Sequence, residues 1–281
     1  MTPQRELRLG SHSLPLGRGA LVMGIVNASP DSFYDGGRHP GVEAGLALAV
    51  RLVRAGAAII DVGGQTGSVG AEIGVAEEIA RTRELVAAIA GLGAPVSIDT
   101  YRAAVADAAL AAGAVLVNDY TGFHDPDLPA VAASHGAGLV CAHYRGAPRA
   151  NPSRSYAVGV EEVVDRLGER REVALAAGVH AHSILLDPCF GFGKDTASDV
   201  ALLAAIPRLR GLGAPVLAPV SHKEFTADST GLEERDLRGT LAAAVLAARA
   251  GADVIRLHDV AEIAPALRLA DAVRRAEAEA A

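Results

Sequence analysis

Val22-Met23-Gly24-Ile25-Val26-Asn27 is a short apolar run that stops on a polar residue, and this pattern recurs seven more times along the chain. The runs show no alternation of polar and apolar residues, which is typical of parallel strands that are buried on both faces. Alanine-rich stretches of helical length separate most of them. Eight strand-helix units predict an α/β fold, the (β/α)8 or TIM barrel, whose active site lies at the C-terminal ends of the strands. The seven later runs end at Asp61, Asp99, Asn118, His143, Asp187, Ser221-His222-Lys223 and His258.

The length and charge of the chain narrow the possible classes of function. Its 281 residues match one barrel of typical size, so we expect residues 1–281 to form a single domain. The net charge of −7 argues against a nucleic-acid-binding surface, which needs a basic stripe. The polar N-terminus lacks the apolar core of a signal peptide, and no apolar stretch is long enough to span a bilayer. Cys141 and Cys189 fit buried thiols of a reducing compartment, so the sequence predicts a cytoplasmic protein.

The segments between the runs predict which end of the barrel carries function. Residues 1–20 fit a short hairpin that closes the barrel floor. Three long segments rich in glycine or proline follow strands, and we expect them to lie over the mouth, at residues 27–41, 63–76 and 143–158. Before four strands the chain has a glycine at the position of a left-handed helix C-cap, in Ala55-Gly56-Ala57, Ala112-Gly113-Ala114, His135-Gly136-Ala137 and Ala250-Gly251-Ala252.

The polar residues at the strand ends suggest a ligand with two parts. Carboxylates and an amide can accept hydrogen bonds from the amino and ring N–H groups of a flat, nitrogen-rich heterocycle. Positive charge follows on the last two strands, where barrels commonly bind phosphate. We therefore expect a heterocycle that is joined to an anion. The candidate acceptors are Asp61, Asp99, Asn118 and Asp187, and the candidate cations are Lys223, Arg256 and His258.

Simpler interpretations of the same residues remain open. An Asp at a strand end is often only the N-cap of the next helix, which applies to Asp61. His143 can equally brace a loop, and Lys194 can belong to a turn. His180 and His182 form a His-x-His pair without a third zinc ligand nearby, and Ser221 lacks the glycines of a hydrolase elbow. The number of polar strand ends favours a site over chance.

A long segment gives a specific family resemblance. Residues 23–37, Met-Gly-Ile-Val-Asn-Ala-Ser-Pro-Asp-Ser-Phe-Tyr-Asp-Gly-Gly, resemble the first signature of dihydropteroate synthases. This resemblance implies a (β/α)8 barrel, usually dimeric, that condenses a dihydropterin methyl diphosphate with p-aminobenzoate and releases diphosphate. Further matches follow in the order of the family at Asp61-Val62-Gly63-Gly64, Ser97 to Arg102, Val117-Asn118-Asp119, Leu186-Asp187-Pro188, Gly191-Phe192-Gly193-Lys194 and Arg256 to Val260.

The resemblance also implies roles for individual residues. Asn27 would hold diphosphate and Mg2+ from the first strand. Phe33 and Asp35 would arrive with the first loop when it closes over the site. The implied pterin-binding set is Asp99, Asn118, Asp187, Phe192 and Lys223, and the implied diphosphate-binding set is Asn27, Arg256 and His258. The residues on which turnover would depend are Lys223, Asp187, Arg256 and His258.

The chain departs from the family at the positions that would receive p-aminobenzoate. The second loop usually reads Glu-Ser-Thr-Arg-Pro-Gly, but here residues 65–70 read Gln-Thr-Gly-Ser-Val-Gly. Glu224 stands where the family has a serine that helps to receive the acceptor's carboxylate. Two unscreened carboxylates there would repel by roughly 1–4 kcal/mol, or about tenfold to several hundredfold in affinity, unless Glu224 turns to solvent. The implied acceptor pocket is Phe33, Thr66, Ser68, His222 and Glu224.

Three functions follow from this mixture of kept and altered residues. The first is a dihydropteroate synthase of folate biosynthesis with an unusual acceptor pocket. The second is a divergent pterin-binding paralogue, similar to a second synthase-like protein of some actinobacteria, that is inactive or uses an amine without a carboxylate. The third is a methyltetrahydrofolate–corrinoid methyltransferase, which has the same barrel but does not need the first-loop signature or the anchors Arg256 and His258.

Overall fold

A computed structural model describes residues 5–28, 40–65, 72–152, 154–233 and 236–280. The strands are β1 Glu6–Leu9, β2 His12–Pro15, β3 Leu21–Asn27, β4 Ile59–Gly63, β5 Val96–Asp99, β6 Leu116–Asp119, β7 Gly138–Ala142, β8 Ile184–Asp187, β9 Leu217–Ala218 and β10 Val254–Leu257. The helices are α1 Pro40–Ala55, α2 Val75–Ala90, α3 Ala103–Ala111, α4 Leu128–Ser134, α5 Val160–Ala176, α6 Thr196–Ala204, α7 Ile206–Arg210, α8 Glu224–Thr230, α9 Leu237–Ala250 and α10 Val260–Ala280.

Eight parallel strands form the barrel in the order β8-β7-β6-β5-β4-β3-β10-β9. The ring closes between β8 and the start of β9, where the Leu186 N–H donates to the Pro215 carbonyl over 2.8 Å and Leu186 pairs with Val216. The strands are short and buried, as the apolar runs predicted, and helices cover their outer faces. The (β/α)8 prediction is confirmed.

Two apolar layers hold this barrel together. The larger one packs the outward side chains of the strands, such as Val26, Ile60 and Val117, against the helices. The smaller one fills the N-terminal end of the barrel, where Leu7 and Leu9 of the β1–β2 hairpin contact the first inward residues of the strands. The predicted hairpin at the floor is confirmed. Those inward residues are Met23, Ile59, Leu116, Val140, Leu185, Leu217 and Val254.

The turns at the floor also follow the sequence prediction. The φ angle is 111° at Gly56 and 96° at Gly251, and both residues end a helix in the left-handed region that a side chain would strain. Cys141 and Cys189 are free and buried, as predicted. Within the described ranges, no helix is both long enough and apolar enough to cross a membrane.

Candidate active site

The polar ends of β4, β5, β6 and β10 form one network at the mouth of the barrel. Asn118 donates from Nδ2 to Asp61 Oδ2 over 3.0 Å. Arg256 donates from Nε to the same Asp61 oxygen and from Nη2 to Asp99 Oδ2, each over 2.6 Å. The strand register places Gly63 of β4 beside Asp99 and Asp99 beside Asn118, which brings these side chains into reach. A single guanidinium therefore contacts two acids of the predicted site.

Asp61 is the innermost member of this network. Its side chain is fully buried, and α2 begins at Val75 with Gly74 at its N-cap, so the interpretation of Asp61 as a helix cap is wrong. Asp61 Oδ1 has no hydrogen-bond partner among the described residues. A buried carboxylate that uses one oxygen for two donors and leaves the other unpaired is costly, because burial removes the water that would solvate it.

In the free protein, the carboxylates of Asp61 and Asp99 already compensate the positive charge of Arg256. Its burial opposes ionisation, but Asp61 and Asp99 outweigh burial and raise the pKa of Arg256, so it stays a cation. Burial raises the pKa of Asp99, although Arg256 opposes that shift and 23% of the Asp99 side chain is exposed. An anion that reaches Arg256 must compete with these two carboxylates.

A second group of predicted residues lies on β8 and the segment before α8. Asp187 is almost fully buried and accepts from the Cys189 N–H over 2.6 Å, and burial raises the pKa of its carboxyl to about 6. Lys223 Nζ lies 4.4 Å from the centre of the Phe192 ring, which is within the range of a cation–π contact. Burial lowers the pKa of Lys223.

The backbone conformation at position 191, beside the Lys223 side chain, favours glycine. Gly191 has a φ angle of +75°, and a Cβ there would lie 3.5 Å from the Lys223 Cδ. The Asp199 carboxylate accepts from the Gly191 N–H over 2.8 Å and so fixes the same turn. The segment that carries Phe192 is therefore held in one position next to Lys223.

Lys194 and His143 stabilise the segment that carries Phe192. Lys194 is buried, and its ammonium donates to the carbonyls of Cys189 (2.7 Å) and His143 (3.2 Å). Burial lowers the pKa of His143 to about 4, which makes its ring neutral at pH 7, and its Nε2 lies 3.6 Å from Glu162. These contacts agree with the simpler interpretations, in which His143 stabilises a loop and Lys194 stabilises a turn.

His258 has a neutral ring in the free protein. Ser221 Oγ lies 2.8 Å from His258 Nδ1 and accepts from the His258 backbone N–H over 3.2 Å. Burial, followed by the charge of Arg256, lowers the pKa of His258 to about 4. The sequence suggested a positive charge at His258. The ring therefore becomes charged only when an anion lies nearby, because an anion favours the protonated ring.

The model of the family described as pterin binding enzyme matches residues 23–258, which is most of the chain. The chain belongs to this pterin-binding family. It is 39% identical to the dihydropteroate synthase of Bacillus subtilis over 258 residues, which cover 90% of the chain and 88% of that protein. It is 44% identical to the inactive dihydropteroate synthase 2 of Mycobacterium tuberculosis over 251 residues, which cover 86% of the chain and 79% of that protein.

Longer relatives and solved structures of the pterin-binding family also match. A probable bifunctional folylpolyglutamate synthase/dihydropteroate synthase of Haloferax volcanii is 41% identical over 96% of the chain, but the chain spans only 33% of its length. The dihydropteroate synthase of Xanthomonas albilineans with 4-aminobenzoic acid superposes with a TM-score of 0.88 at 39% identity and covers 96% of the chain and 98% of its own. Its complex with 7,8-dihydropteroate gives a TM-score of 0.84 at 38% identity with the same coverage.

The acceptor side of this pterin-binding barrel is only partly described. Phe33, Asp35, Thr66 and Ser68 lie outside the described residues. His222 lies beside His258, with ring centres 5.3 Å apart, and its Nε2 is 2.7 Å from Asp259 Oδ2. His222, which the resemblance assigns to the acceptor pocket, therefore lies next to His258, which the resemblance assigns to diphosphate binding.

Glu224 begins α8 and is not an isolated charge. Arg154, from the segment after β7, places Nη1 3.9 Å from Glu224 Oε2 and donates to both oxygens of Asp228 over 2.8 and 2.6 Å. About 37% of the Glu224 side chain is exposed. The nearby cation and the partial exposure both reduce the repulsion that the sequence suggested for an incoming carboxylate.

Tyrosines around Phe192 are site residues that the sequence argument missed. The Tyr120 ring stacks on Phe192 with centres 4.7 Å apart, and the rings of Tyr101 and Tyr144 lie nearly perpendicular to it with centres 5.9 and 5.4 Å away. A signal for them was present, because Tyr101 and Tyr120 each follow a polar strand end, Asp99 or Asn118, by two residues. Both tyrosines lie just after β5 and β6, beside the polar strand ends that marked the mouth.

Tyr101 also connects the two ends of the second loop. Its hydroxyl accepts from Gln65 Nε2 over 3.2 Å and donates to the Glu72 carboxylate. Gln65 Oε1 in turn accepts from the Ile73 N–H over 2.8 Å. Gln65, which replaces the glutamate usual in the family, thus closes the base of this loop.

Proposed function

We propose that the protein is a dihydropteroate synthase-type transferase that condenses 6-hydroxymethyl-7,8-dihydropterin diphosphate with p-aminobenzoate and releases diphosphate, a step of folate biosynthesis. One observation carries this proposal. Three buried or half-buried acceptors, Asp99, Asn118 and Asp187, share the mouth with one lysine, Lys223, that lies against an aromatic ring. The synthases among the relatives, and the structures solved with aminobenzoic acid and dihydropteroate, support the same activity.

The acceptors and Lys223 would fix the pterin ring. Carboxylates of Asp99 and Asp187 accept from amino and ring N–H groups, and Asn118 can both donate and accept. Lys223 donates to the carbonyl side of the ring, and Phe192 lines the wall of the pocket. A flat ligand whose edge carries both donors and acceptors satisfies these groups better than water does in a confined site.

The diphosphate end would lie near β3 and β10. When the bond between the pterin methyl carbon and the diphosphate oxygen breaks, the oxygen keeps the electron pair. Arg256 and a protonated His258 stabilise the negative charge that develops there. The arylamine nitrogen then bonds to the electron-poor methyl carbon and loses a proton, which completes the transfer.

Asn27 fits a magnesium ligand at this end. Asn27 is exposed at the end of β3, and a Cβ on Gly63 would lie 3.8 Å from its Oδ1 and 3.6 Å from Asp99. No group of three or more acidic, histidine or cysteine ligands occurs among the described residues. Mg2+ is usually held by one or two protein oxygens together with substrate phosphates, so Asn27 and the diphosphate form a suitable set. Bound Mg2+ would neutralise charge on the leaving diphosphate.

The homodimer and the cytoplasmic location that the sequence predicted also belong to this proposal. Light scattering coupled to gel filtration measures the first directly, and a mass of about twice the 28.6 kDa chain is expected. A monomer at micromolar concentration would contradict the homodimer without affecting the proposed reaction.

A second candidate is a pterin-binding paralogue that is inactive or takes an amine without a carboxylate. Glu224 at the start of α8 and Gln65 in the second loop favour it, since both alter the predicted acceptor side. The 44% identity with the inactive mycobacterial proteins points the same way. The corrinoid methyltransferase has no such support.

The test is release of diphosphate from the dihydropterin substrate with Mg2+, with and without p-aminobenzoate, and with dihydropteroate identified by mass spectrometry. The proposal predicts release that depends on p-aminobenzoate and stops when a chelator removes Mg2+. Pterin binding without turnover would establish the second candidate. Turnover that survives chelation would contradict the magnesium assignment alone.

A further inference from the structure

Tyr120 lies inside the mouth but has no role in the proposed reaction so far. It lies in the turn directly after β6, two residues beyond Asn118. Only 7% of the residue is exposed, and its ring stacks on Phe192 at an interplanar angle of 18°. Tyr101 and Tyr144 pack against it edge-on. Aromatic neighbours on several sides therefore fix the direction of its hydroxyl.

The Tyr120 hydroxyl is buried and has no hydrogen-bond partner among the described residues. The tyrosines that pack against it differ in this respect. Tyr101 donates to Glu72, and Tyr144 donates to the Ala147 carbonyl over 3.1 Å. Buried polar atoms nearly always have a hydrogen-bond partner. The unpaired hydroxyl of Tyr120, between tyrosines whose hydroxyls are paired, therefore needs an explanation.

The surroundings of this hydroxyl indicate what its partner is. Burial raises the pKa of Tyr120, and the Asp99 carboxylate raises it further, so the hydroxyl keeps its proton and lies in the same part of the mouth as Asp99. A phenol can donate one hydrogen bond and accept others. A polar atom of a flat ligand that also reaches Asp99 would supply the missing partner.

We propose that the Tyr120 hydroxyl forms a hydrogen bond to the bound heterocycle and is a specificity-determining residue of this site. The inference rests on the proposed function, which identifies the heterocycle as a dihydropterin. Tyr120 then selects rings that present a polar atom opposite Asp99, and a purely apolar ring would leave the hydroxyl orphaned.

Equilibrium binding of the dihydropterin diphosphate to Tyr120→Phe tests this role. The variant keeps the ring and removes only the hydroxyl, so pterin affinity should fall roughly fivefold, the value of one ordinary hydrogen bond. Tyr156→Phe is the matched control, because its hydroxyl already contacts the Phe192 carbonyl within the chain over 3.4 Å. Binding of inorganic diphosphate with Mg2+ is the ligand control and should be unchanged in Tyr120→Phe.

Thermal unfolding of the free proteins separates binding from a structural role. Removal of an unsatisfied buried hydroxyl should leave the Tm of Tyr120→Phe unchanged or raised. Equal pterin affinity in wild type and Tyr120→Phe would overturn the inference, and so would a weakened affinity that comes with a fall of several degrees in Tm. Wild type that binds no pterin would instead refute the proposed function itself.

Discussion

The floor and the mouth of this barrel are made from the same eight strands, but their buried carboxylates Asp253 and Asp61 differ in how their oxygens are hydrogen-bonded. At the floor, Asp253 accepts from the Val216 N–H over 3.0 Å and pairs with Arg5 at 3.3 Å. At the mouth, Asp61 Oδ1 and the Tyr120 hydroxyl are buried without partners among the described residues. At these positions the floor uses contacts within the chain, whereas we expect a ligand to supply the missing contacts of the mouth.

The two ends also differ in what their inward residues can do. Inward residues at the floor are apolar and contact the β1–β2 hairpin, so their burial stabilises the barrel through the hydrophobic effect. Inward residues at the mouth are ionisable, and burial shifts the pKa values of Asp187, Lys223 and His258 against their charged forms. Such shifts concentrate at functional sites because a ligand, rather than the fold, supplies the compensating contacts.

The strongest way to break this comparison is to remove a charged contact from the mouth. Lys223→Ala and Asp187→Asn should each lower kcat/KM roughly a hundredfold to a thousandfold, since each leaves a buried ligand group unpaired. Steady-state kinetics of diphosphate release measure this loss, and thermal unfolding should show no comparable loss of stability. Turnover within about twofold of wild type in either variant would remove that residue from the pterin site.

At the floor, we expect a substitution to lower the stability of the protein and to leave its pterin affinity almost unchanged. Leu9→Ala leaves a cavity against the first inward residues of the strands and should lower the free energy of unfolding by about 2–5 kcal/mol. Pterin affinity at 20 °C should stay within about twofold of wild type, because the hairpin lies at the opposite end of the barrel. Urea unfolding and pterin titration of the same sample test both statements. A large loss of affinity in a folded variant would show that the two ends are coupled.

The acceptor side gives a smaller effect that sharpens the comparison. Glu224→Ser combined with His222→Arg removes one carboxylate and adds a cation, so the KM for p-aminobenzoate should fall about tenfold. Arg154→Ala in the wild-type background is the matched control. It removes the cation that lies 3.9 Å from Glu224 and should raise the same KM. Opposite signs in the two variants support an electrostatic cause, and no change in either would mean that Glu224 does not face the acceptor.

The pH dependence of pterin binding is the smallest predicted effect. The pKa of Asp187 is about 6, so this carboxyl takes up a proton as the pH falls from 8 to 5.5 and stops accepting from ligand N–H groups. Affinity should fall severalfold over that range and level off above pH 7.5. Leu9→Ala should give the same profile, as its change lies at the floor. A flat profile in wild type would contradict the role of Asp187 as an acceptor.

The raised pKa of Asp187 also affects the stability of the free protein, which depends on pH in the opposite direction to pterin affinity. The carboxyl of Asp187 binds its proton more tightly in the folded state than at its ordinary pKa of 3.8. Its contribution to the stability of the free protein is therefore full below about pH 4 and is lost as the pH rises through about 6. Folding and ligand binding thus favour different protonation states of one residue.

The sequence predicted much of this arrangement because apolar runs and motifs are local. The strands, the floor hairpin and the clustering of polar strand ends all follow from residues that are neighbours along the chain. The pairing of Arg256 with Asp61 and Asp99 did not follow, since 195 and 157 residues separate these partners. Only the closed barrel brings β10 near β4 and β5, and only the side-chain geometry shows which acids the guanidinium reaches.

The unpaired hydroxyl of Tyr120 could not be predicted from the sequence either. A tyrosine after a strand end fits a core, a loop or a ligand contact, and the unsatisfied hydroxyl becomes visible only when its neighbours are in place. The segments that carry Phe33, Thr66 and Ser68 lie outside the described residues, so their roles in the acceptor pocket stay predictions.

The most direct test of the account is a calorimetric titration of the dihydropterin diphosphate into wild type and Lys223→Ala at pH 8 with Mg2+. We expect saturable binding of one ligand per chain to wild type, and binding weakened at least a hundredfold in a Lys223→Ala protein that remains folded. Absence of pterin binding to folded wild type, or equal binding to both proteins, would contradict the claim that the mouth of this barrel is a pterin site.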